Sequence, residues 1–401
     1  MSALTVEIIN NIPVSKQAVE IVERKGTGHP DYICDAAMDA VSVALSREYI
    51  KRTGTVLHHN IDKGLLVAGR VEKGFGWGRV KRPMEIIVGD RAAYSVGRKR
   101  VRVKEIAERT VREWFSSNLK HVDQERDLIV KVVCQPGSEE LAGIFSGKKG
   151  VRGANDTSAA VGYAPLTLTE KAVFESERFL NSQTFKTAFP ETGEDVKVMG
   201  FRKNQDLDLT IALPLMAKDI KNEKEYFRKK NDIIGALRGF TGSFPFRRIT
   251  LNYNTLDARS KGTSGVYLTL TGTSAEDADS GQVGRGNRVN GVISLNRPTG
   301  TEAAAGKNPV SHVGKIYTVL AYRMAGEVYE KVDGAAEVYV WFLSQIGSPV
   351  DRPKHISVQI ISCARLDTKK VSRTVGRIAD EFLSGIGDFT DGLTRGEYPV
   401  C

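Results

Sequence analysis

The sequence has few cysteines and no long run of apolar residues. Its four cysteines stand far apart and form no C-x-x-C pair: Cys34, Cys134, Cys363 and Cys401. This spacing excludes a zinc ribbon, an iron–sulfur cluster and a disulfide framework, and it favours small buried thiols. No apolar stretch approaches the ~18 residues that span a bilayer, and the N-terminal residues lack the apolar centre of a signal peptide. We therefore expect a cytoplasmic protein with no membrane contact.

Histidine is also scarce, with six residues, and no Walker A pattern G-x-x-x-x-G-K-[ST] occurs. Lysine and arginine, in contrast, outnumber aspartate and glutamate by 58 to 48, a formal net charge of +10. This excess fits a nucleic-acid-binding protein, an enzyme with a phosphate-rich substrate, or a generally basic composition. The 401 residues, 41% of them hydrophobic, correspond to two to four globular domains or to one large intertwined unit.

Apolar periodicity predicts strands and helices along the whole chain. Strands are predicted over 85–89, 128–134, 207–215, 249–255, 266–274, 289–295 and 356–362. Helices are predicted over 33–50, 103–118, 170–180, 220–237, 313–332 and 369–383. Thr167 and Glu170 have the spacing of a capping box, which indicates a helix start. The pattern is α+β, with two helices and at least two strands in each third of the chain.

Residues 23–31, ERKGTGHPD, precede the first predicted helix and form the first candidate phosphate site. The two glycines allow close backbone approach to a ligand, and Pro30 disfavours helical geometry at His29. His29 and Asp31 would then lie at a helix N-terminus, which attracts anions. There the histidine can donate to a phosphate oxygen and the carboxylate can hold Mg²⁺. The alternative is that Asp31 is the helix N-cap and His29 a solvated loop residue.

A glycine-rich segment, residues 279–315, is the second candidate phosphate site. It combines flexible backbone with basic side chains, as binding of a polyphosphate requires: Arg285, Arg288, Lys307, His312 and Lys315. It matches neither the Walker A loop nor the dinucleotide fingerprint, and the alternative is a surface loop with solvated charges. Three smaller turns, at 136–141, 153–158 and 193–197, are each better explained in isolation as an ordinary turn or cap.

Taken together, these motifs resemble those of the archaeal-type S-adenosylmethionine synthetases. The resemblance rests on seven segments in the family's order over nearly the whole chain: ERKGTGHPDYICDAA, HHNIDKGLLVAGR, QPGSEELAGIF, GANDTSAAVGYAPLT, GEDVKVMG, GRGNRVNGVISLNRP and GTEAAAGKNPVSHVGKIY. It implies an α+β fold of three similar domains with pseudo-threefold symmetry, interleaved and placed at 1–138, 139–272 and 273–401. It also implies a homodimer with active sites at the subunit interface, and dependence on Mg²⁺, usually with K⁺.

The implied reaction joins ATP and L-methionine. The methionine sulfur attacks the ribose C5′ and displaces triphosphate, which is then hydrolysed to pyrophosphate and phosphate. The resemblance assigns catalysis to His29, Lys197, Arg285 and Lys307, and Mg²⁺ to Asp31. It assigns ATP and phosphate contacts to Pro136, Gly137, Ser138, Glu139, Glu140, Leu141, Arg288 and His312. Methionine or adenosyl contacts fall to Asn155, Asp156 and Asp279.

The chain departs from the bacterial branch of the family at three places. A cation that follows the arginine in bacteria is replaced by Gly286, and Arg288 is the candidate substitute. Further along, a bacterial lysine and aspartate correspond to His312 and Gly314, so the resemblance places no second metal carboxylate. The bacterial K⁺-binding glutamate has no match near residues 58–63, which counts against K⁺ as a second cofactor.

Two other functions remain as alternatives. A nucleic-acid-binding protein would explain the net charge, but the basic helices predicted at 103–118 and 220–237 also carry glutamates. No RRM, KH, helix-turn-helix or zinc motif occurs, so we expect no nucleic-acid partner. Another ATP-dependent enzyme, such as a kinase or ligase, would handle the same phosphates, but the loops of protein kinases are absent.

Overall fold

The computed structural model of the chain describes residues 3–137 and 151–401. The longest of its helices starts at Pro30, whose fixed backbone angle suits the first helical position. The α-helices are α1 Pro30–Thr53, α2 Val103–Asn118, α3 Leu168–Leu180, α4 Gln183–Ala188, α5 Glu223–Thr241, α6 Val313–Lys331, α7 Thr368–Ser384 and α8 Ile386–Arg395.

Most strands belong to three larger sheets, and the rest form short two-stranded pairs. In chain order the strands are β1 Ala3–Ile9, β2 Val19–Lys25, β3 His59–Asn60, β4 Gly64–Val67, β5 Arg70–Gly74, β6 Trp77–Arg82, β7 Met84–Val88, β8 Arg91–Ala92, β9 Ser95–Val96, β10 Lys99–Arg100, β11 Leu128–Val132, β12 Ala159–Ala164, β13 Lys197–Lys203, β14 Asp206–Ala212, β15 Leu215–Met216, β16 Arg248–Tyr253, β17 Leu268–Thr269, β18 Gly281–Gln282, β19 Ile293–Ser294, β20 Ala335–Leu343 and β21 His355–Ser362.

The three larger sheets have the strand orders β18-β4-β7-β11, β19-β2-β13-β14-β16 and β12-β20-β21-β1. Each is built around a central antiparallel pair: β4 with β7, β13 with β14, and β20 with β21. One neighbour runs parallel to the second strand of that pair, and another runs antiparallel to the first strand. The sheets therefore repeat one topology, which confirms the expected α+β fold of three similar units with pseudo-threefold symmetry.

Two helices cover each sheet, and each unit contributes at least one strand to another sheet. The helices α1 and α2 pack on the first sheet, α3 and α5 on the second, and α6 and α7 on the third. Yet β2, which leads into α1, lies in the second sheet, and β12, which precedes α3, lies in the third. The units are thus interleaved. The proposed boundaries at 138 and 272 stay a prediction, and the first adjoins residues 138–150, outside the described ranges.

The core lies between the sheets and their helices, because alternate residues of the strands point to one face. One apolar cluster includes residues of α1, α2, α6 and α7, and a second includes residues of α3 and α5. Exposed apolar side chains also occur in the strands, among them Leu65, Ile129 and Phe201. None of the helices in the described ranges combines the length and the apolarity needed to cross a membrane.

Three predictions differ from the structure. Two predicted strands, 266–274 and 289–295, reduce to the two-residue strands β17 and β19. The backbone turns at Gly272 and Gly291, whose φ angles of +78° and +85° end strand geometry and suit glycine. The expectation of buried thiols holds for Cys34 and Cys134, whereas Cys363 is exposed.

Candidate active site

The turn between β2 and α1 places His29 at the N-terminus of that helix. His29 is the N-cap residue, and its Nδ1 accepts a hydrogen bond from the Asp31 backbone N–H at 3.2 Å. The residue is 7% exposed, so the alternative in which Asp31 caps the helix and His29 is solvated is wrong. Gly28 lies against the backbone of residues 194–195, where a side chain would clash. The N-cap of α1 and the backbone of residues 194–195 therefore fix the turn.

Asp31 is buried beside His29, and both of its carboxylate oxygens accept hydrogen bonds. Oδ2 accepts from Lys25 Nζ at 2.8 Å, and Oδ1 accepts from the Gln282 backbone N–H at 2.9 Å. Lys25 Nζ also donates to the backbone carbonyl of Arg285 at 2.7 Å. The lysine thus compensates the buried negative charge and joins it to the glycine-rich segment.

Lys197 lies beside Lys25, because β13 and β2 pair in a register that sets these two residues opposite each other. The Nζ atom of Lys197 lies 3.1 Å from Glu23 Oε1, and its side chain is 42% exposed. The two ammonium groups also act on the imidazole of His29. Burial first, then the charge of Lys25 and to a smaller extent that of Lys197, lower the pKa of His29 to about 4. The imidazole is therefore neutral near pH 7.

Asp195 lies close to the same turn, and Ser274 links it to Asp279 through backbone hydrogen bonds. Asp195 is buried, and its Oδ2 accepts a hydrogen bond from the Ser274 backbone N–H at 2.7 Å. Burial raises the pKa of Asp195 to about 7, and the charge of Asp279 adds to the rise. Asp279 itself is exposed, and its Oδ1 accepts from the Ser280 N–H at 2.9 Å. A ligand can therefore reach Asp279 from solvent.

Arg285 and Arg288 lie in the glycine-rich segment, and both have donors without a partner among the described residues. Within the described residues, the exposed guanidinium of Arg285 takes part in no hydrogen bond or ion pair. Arg288 donates only a long hydrogen bond, 3.4 Å from Nη1 to the carbonyl of Gly284, and its buried Nε has no partner in the described ranges. The His29 group, as used below, consists of Lys25, His29, Asp31, Lys197 and Arg285.

A second set of polar residues surrounds Lys307, which is 2% exposed. Its Nζ pairs with Glu302 and lies 3.7 Å from Asp62 Oδ2. His312 is the N-cap of α6, and its Nδ1 accepts from the Gly314 N–H at 3.2 Å. Burial and the charge of Lys307 lower the pKa of His312 to about 3. The Lys307 group, as used below, consists of Asp62, Asn155, Glu302, Lys307 and His312.

Asn155 links the Lys307 group to α6, and Asp156 follows it in the chain. Asn155 Oδ1 accepts from the backbone N–H of Val313, the first residue of α6, at 3.2 Å. That bond ties the segment to the helix start that His312 caps. Asp156 is exposed, and its backbone carbonyl accepts from Ser344 Oγ at 2.7 Å. The predicted methionine contacts thus fall beside the Lys307 group, whereas Asp279 falls beside the His29 group.

Helix α1 connects the two groups. Asp31 belongs to the first, and Asp39, two turns later, pairs with Lys315 Nζ at 2.6 Å. Ser42 Oγ donates to the Lys307 carbonyl at 3.0 Å. Because the helix rises ~1.5 Å per residue, Asp31 and Asp39 are about 12 Å apart along its axis. The two ends of the glycine-rich segment are therefore held along one helix.

The segment 136–141 is only partly within the described residues. The Pro136 carbonyl accepts from Arg91 Nη1 at 3.2 Å, and Gly137 lies against His58, where a side chain would clash. The other predicted ATP contacts lie outside the described ranges: Ser138, Glu139, Glu140 and Leu141. The described part places the start of this segment beside β3 and β8 but tests no contact with a nucleotide.

Four residues that contact the predicted site residues or the glycine-rich segment were not themselves predicted as site residues: Lys25, Asp35, Asp39 and Glu302. The two aspartates carried a usable signal. They follow Asp31 at i+4 and i+8, which places all three on one face of a helix. The sequence holds no such signal for Lys25, because the role of this lysine depends on the pairing of β2 with β13 and on a loop 260 residues away.

Comparisons with known proteins show the family of the chain. The sequence model of the family described as S-adenosylmethionine synthetase (AdoMet synthetase) matches residues 2–397. The chain is 43% identical to an S-adenosylmethionine synthase of Pyrobaculum aerophilum over 401 residues, covering 98% of each chain. It is 45% identical to one of Thermococcus onnurineus over 385 residues, covering 96% of this chain and 95% of the other. The chain belongs to the S-adenosylmethionine synthetase family.

The fold of the family is also found among solved structures. An unusual S-adenosylmethionine synthetase from Campylobacter jejuni matches with a TM-score of 0.62 over 94% of both chains. At 15% sequence identity this likeness concerns the fold alone. The resemblance to the archaeal-type S-adenosylmethionine synthetases, inferred from seven segments, is confirmed by the family match and by the relatives.

The residues around Asp31 suit a magnesium ion that is bound together with a phosphate chain. No group of three or more His, Cys, Asp or Glu side chains within the described ranges could hold a metal by itself. Mg²⁺ commonly takes one or two protein carboxylates and completes its octahedron with substrate phosphates and water. Asp31 offers a hard oxygen ligand of this kind, with Lys25 as its counter-ion in the structure.

Proposed function

We propose that this S-adenosylmethionine synthetase transfers the adenosyl group of ATP to the sulfur of L-methionine and hydrolyses the displaced triphosphate to pyrophosphate and phosphate. The His29 group carries this proposal, because it combines a neutral histidine donor, three cations and a buried carboxylate at a helix N-terminus. Relatives named S-adenosylmethionine synthase match nearly the whole chain and support it.

The chemistry of this reaction requires stabilisation of negative charge. The leaving group is a polyanion, and its charge must be stabilised while the C5′–oxygen bond breaks. A thioether has no proton to lose, so the first step needs no general base, and positioning of the sulfur near C5′ dominates. The site fits this requirement, because its histidine is neutral and its charged residues are mainly cations.

His29 acts as a hydrogen-bond donor to the departing triphosphate. Because Nδ1 accepts the Asp31 N–H, the proton of the neutral imidazole is on Nε2, which is then available to donate. Its low pKa, caused by burial and by Lys25, keeps this tautomer uncharged at pH 7. The donor is pre-oriented by the helix cap, so it needs no reorganisation as charge develops.

The phosphate chain binds to basic and imidazole side chains of the two groups and to Arg288. Arg285 and Lys197 serve the phosphates next to His29, and Arg288 replaces the cation that bacterial relatives carry after the arginine. Lys307 and His312 serve the far end of the chain of phosphates. Support comes from the guanidinium of Arg285 and the Nε of Arg288, for which the described residues provide no partner.

Asp31 would hold Mg²⁺, and the ion would supply further neutralisation of the phosphate charge. Asp31 must then share or exchange its bond with Lys25, whose ammonium is already linked to the Arg285 carbonyl. K⁺ as a second cofactor stays a prediction of the family resemblance. Methionine and the adenosyl group are assigned to Asn155, Asp156 and Asp279, and ATP also to the segment 136–141.

The active protein is a cytoplasmic homodimer with its sites at the subunit interface, and it binds no nucleic acid. Apolar side chains exposed in the strands, such as Leu65 and Phe201, offer a surface for a second subunit. The exposed positions of Arg285, Asp279 and Lys197 also support this proposal, because a partner subunit would shield them from water.

Product analysis by mass spectrometry tests the function directly. Incubation of the purified chain with ATP, L-methionine and Mg²⁺ should give S-adenosylmethionine with equal amounts of pyrophosphate and phosphate. A kinase would instead release ADP, and a ligase ADP or AMP. Formation of either nucleotide without S-adenosylmethionine would refute the proposal. A reaction without methionine is the control for simple ATP hydrolysis.

A further inference from the structure

Asp35 lies on α1 one turn after Asp31 and faces the glycine-rich segment. Its Oδ1 accepts a hydrogen bond from the Gly284 backbone N–H at 2.7 Å, and its Oδ2 accepts one from the Gly286 N–H at 3.0 Å. The residue is 2% exposed. The two amides that it binds are those on either side of Arg285 in the chain.

We propose that Asp35 is a positioning residue for adenosyl transfer, which fixes the backbone on both sides of Arg285 and thereby aims its guanidinium at the triphosphate. The proposal rests on the proposed function, since it acts through the phosphate contact of Arg285. Asp35 itself is too deeply buried, and too fully hydrogen-bonded, to bind the substrate. Its effect on the rate is indirect.

The glycines of this segment support this role. In a loop that cradles phosphate, backbone N–H groups point to the ligand. Here the N–H groups of Gly284 and Gly286 instead bind a protein carboxylate, so they are not available to a phosphate. A side chain at Gly286 would clash with Asp35, and one at Gly281 would clash with the Pro30 carbonyl. These two glycines allow the loop to approach α1, and the Arg285 side chain is left as the phosphate donor.

Lys25 holds the same loop from the other direction. Its Nζ donates to the Arg285 carbonyl, while its backbone exchanges two hydrogen bonds with the Asn287 side chain, at 2.9 and 2.8 Å. The backbone around Arg285 is thus fixed at the amide before it, at its own carbonyl and at the amide after it. A side chain on so rigid a backbone loses little entropy when it binds a phosphate oxygen.

The Asp35→Asn variant tests the proposal. The amide is isosteric, but it keeps one acceptor oxygen and presents an NH₂ group to the second backbone N–H, so one of the two bonds is lost. We expect kcat/KM for ATP to fall about 10²-fold, the effect of misplacing a group by about 1 Å. In an Arg285→Ala background the same substitution should change kcat/KM less than about threefold, because the group that it positions is absent.

The matched control is Asp257→Asn. Asp257 is also a buried carboxylate with two hydrogen-bond donors, Tyr226 Oη and Lys230 Nζ, both at 2.8 Å, but it contacts neither group of the site. The Asp257→Asn substitution should change kcat/KM by the same factor with and without Arg285. Equal losses for Asp35→Asn in both backgrounds would overturn the proposal, because they would show a general structural role. If Asp35→Asn does not fold, Asp35→Ser, which keeps one acceptor in a smaller volume, takes its place.

Binding of inorganic tripolyphosphate with Mg²⁺, measured by calorimetry, separates this proposal from the proposed function. Asp35→Asn should weaken that binding only when Arg285 is present, whether or not the protein forms S-adenosylmethionine. If the protein forms no S-adenosylmethionine but the effect of Asp35→Asn on tripolyphosphate binding still depends on Arg285, the proposed function alone is rejected. If the protein forms S-adenosylmethionine but the effect of Asp35→Asn depends on Arg285 neither in the kinetics nor in the binding, the role of Asp35 alone is rejected.

Discussion

His29 and His312 cap equivalent helices of two repeats in the same way. Each accepts, through Nδ1 and at 3.2 Å, the backbone N–H two residues later, and each is 7% exposed. In the remaining, central repeat the corresponding helix α3 begins instead with the capping box of Thr167 and Glu170. Two of the three helix N-termini therefore present a neutral imidazole with its proton on Nε2, and the third presents none.

The capping role and the donor role of His29 can be separated by two substitutions. Asparagine is among the best N-cap residues, whereas alanine costs about 1 kcal/mol at this position. Neither places a donor where Nε2 lies. We expect both His29→Asn and His29→Ala to lower kcat by about 10²–10³-fold with little change in the KM for methionine. Only the alanine variant should lose stability, measured by urea unfolding.

Steady-state kinetics with each substrate varied in turn provides the test. A His29→Asn enzyme with wild-type kcat would show that the cap, and not the Nε2 donor, is what the reaction needs. An equal loss in kcat and rise in KM would instead assign His29 to substrate binding alone.

The buried His59 predicts a pH dependence of stability. Burial lowers its pKa from 6.5 to about 3, so between these values the unfolded chain binds a proton that the folded chain does not. Stability from this residue is therefore complete above pH 6.5 and is lost as the pH falls toward 3, by about 1.4 kcal/mol per pH unit. Carboxylates with raised pKa values, Asp35 and Asp195, act in the opposite direction.

Comparison of the wild type with His59→Gln isolates this one residue, because the carboxylates are common to both proteins. At about pH 7 the variant should be less stable, since the bonds of His59 to Ser42 Oγ and the Leu57 carbonyl change. The difference in the free energy of unfolding should shrink as the pH falls to about 5. A constant difference over that range would contradict the low pKa of His59.

Local signals in the sequence predicted much of the fold. The helix predicted over 103–118 is α2 residue for residue, and the capping box at Thr167 is present. The placement of His29 and Asp31 at a helix start was also correct. Such features depend on neighbours within a few residues, which the sequence displays directly.

What the sequence did not predict depends on distant contacts. The bonds of Asp35 to the glycine-rich loop join residues about 250 positions apart. The strand β20, AAEVYVWFL, was not predicted, although its valine and aromatic residues are typical of strands; its buried residues 337–340 are consecutive and not alternating. The interleaving of the sheets likewise arises from pairings such as β2 with β13, which no local pattern indicates.

A single methyl group added to the turn that carries His29 should strongly lower kcat. In Gly28→Ala the added carbon would clash with the backbone of Glu194 and Asp195, so the turn must shift. We expect kcat to fall at least about 10²-fold, because the imidazole moves with the turn. Gly235→Ala is the control: Gly235 is exposed within α5, with open space around it. That variant should keep full activity and gain up to about 1 kcal/mol. Similar activity in both variants would contradict the role of the turn.

Replacement of the buried Arg297 should cause a large loss of stability. Its side chain is 0% exposed and pairs with Glu170 at 3.1 Å and Glu337 at 3.2 Å. In Arg297→Met both carboxylates would remain buried without their cation, which costs about 3–5 kcal/mol. Arg247→Met is the matched control, since Arg247 pairs with Asp206 at 2.6 Å but is 69% exposed, and such pairs contribute about 0–1 kcal/mol. Urea unfolding of both variants measures the contrast, and equal losses would show that water or protonation compensates the buried carboxylates.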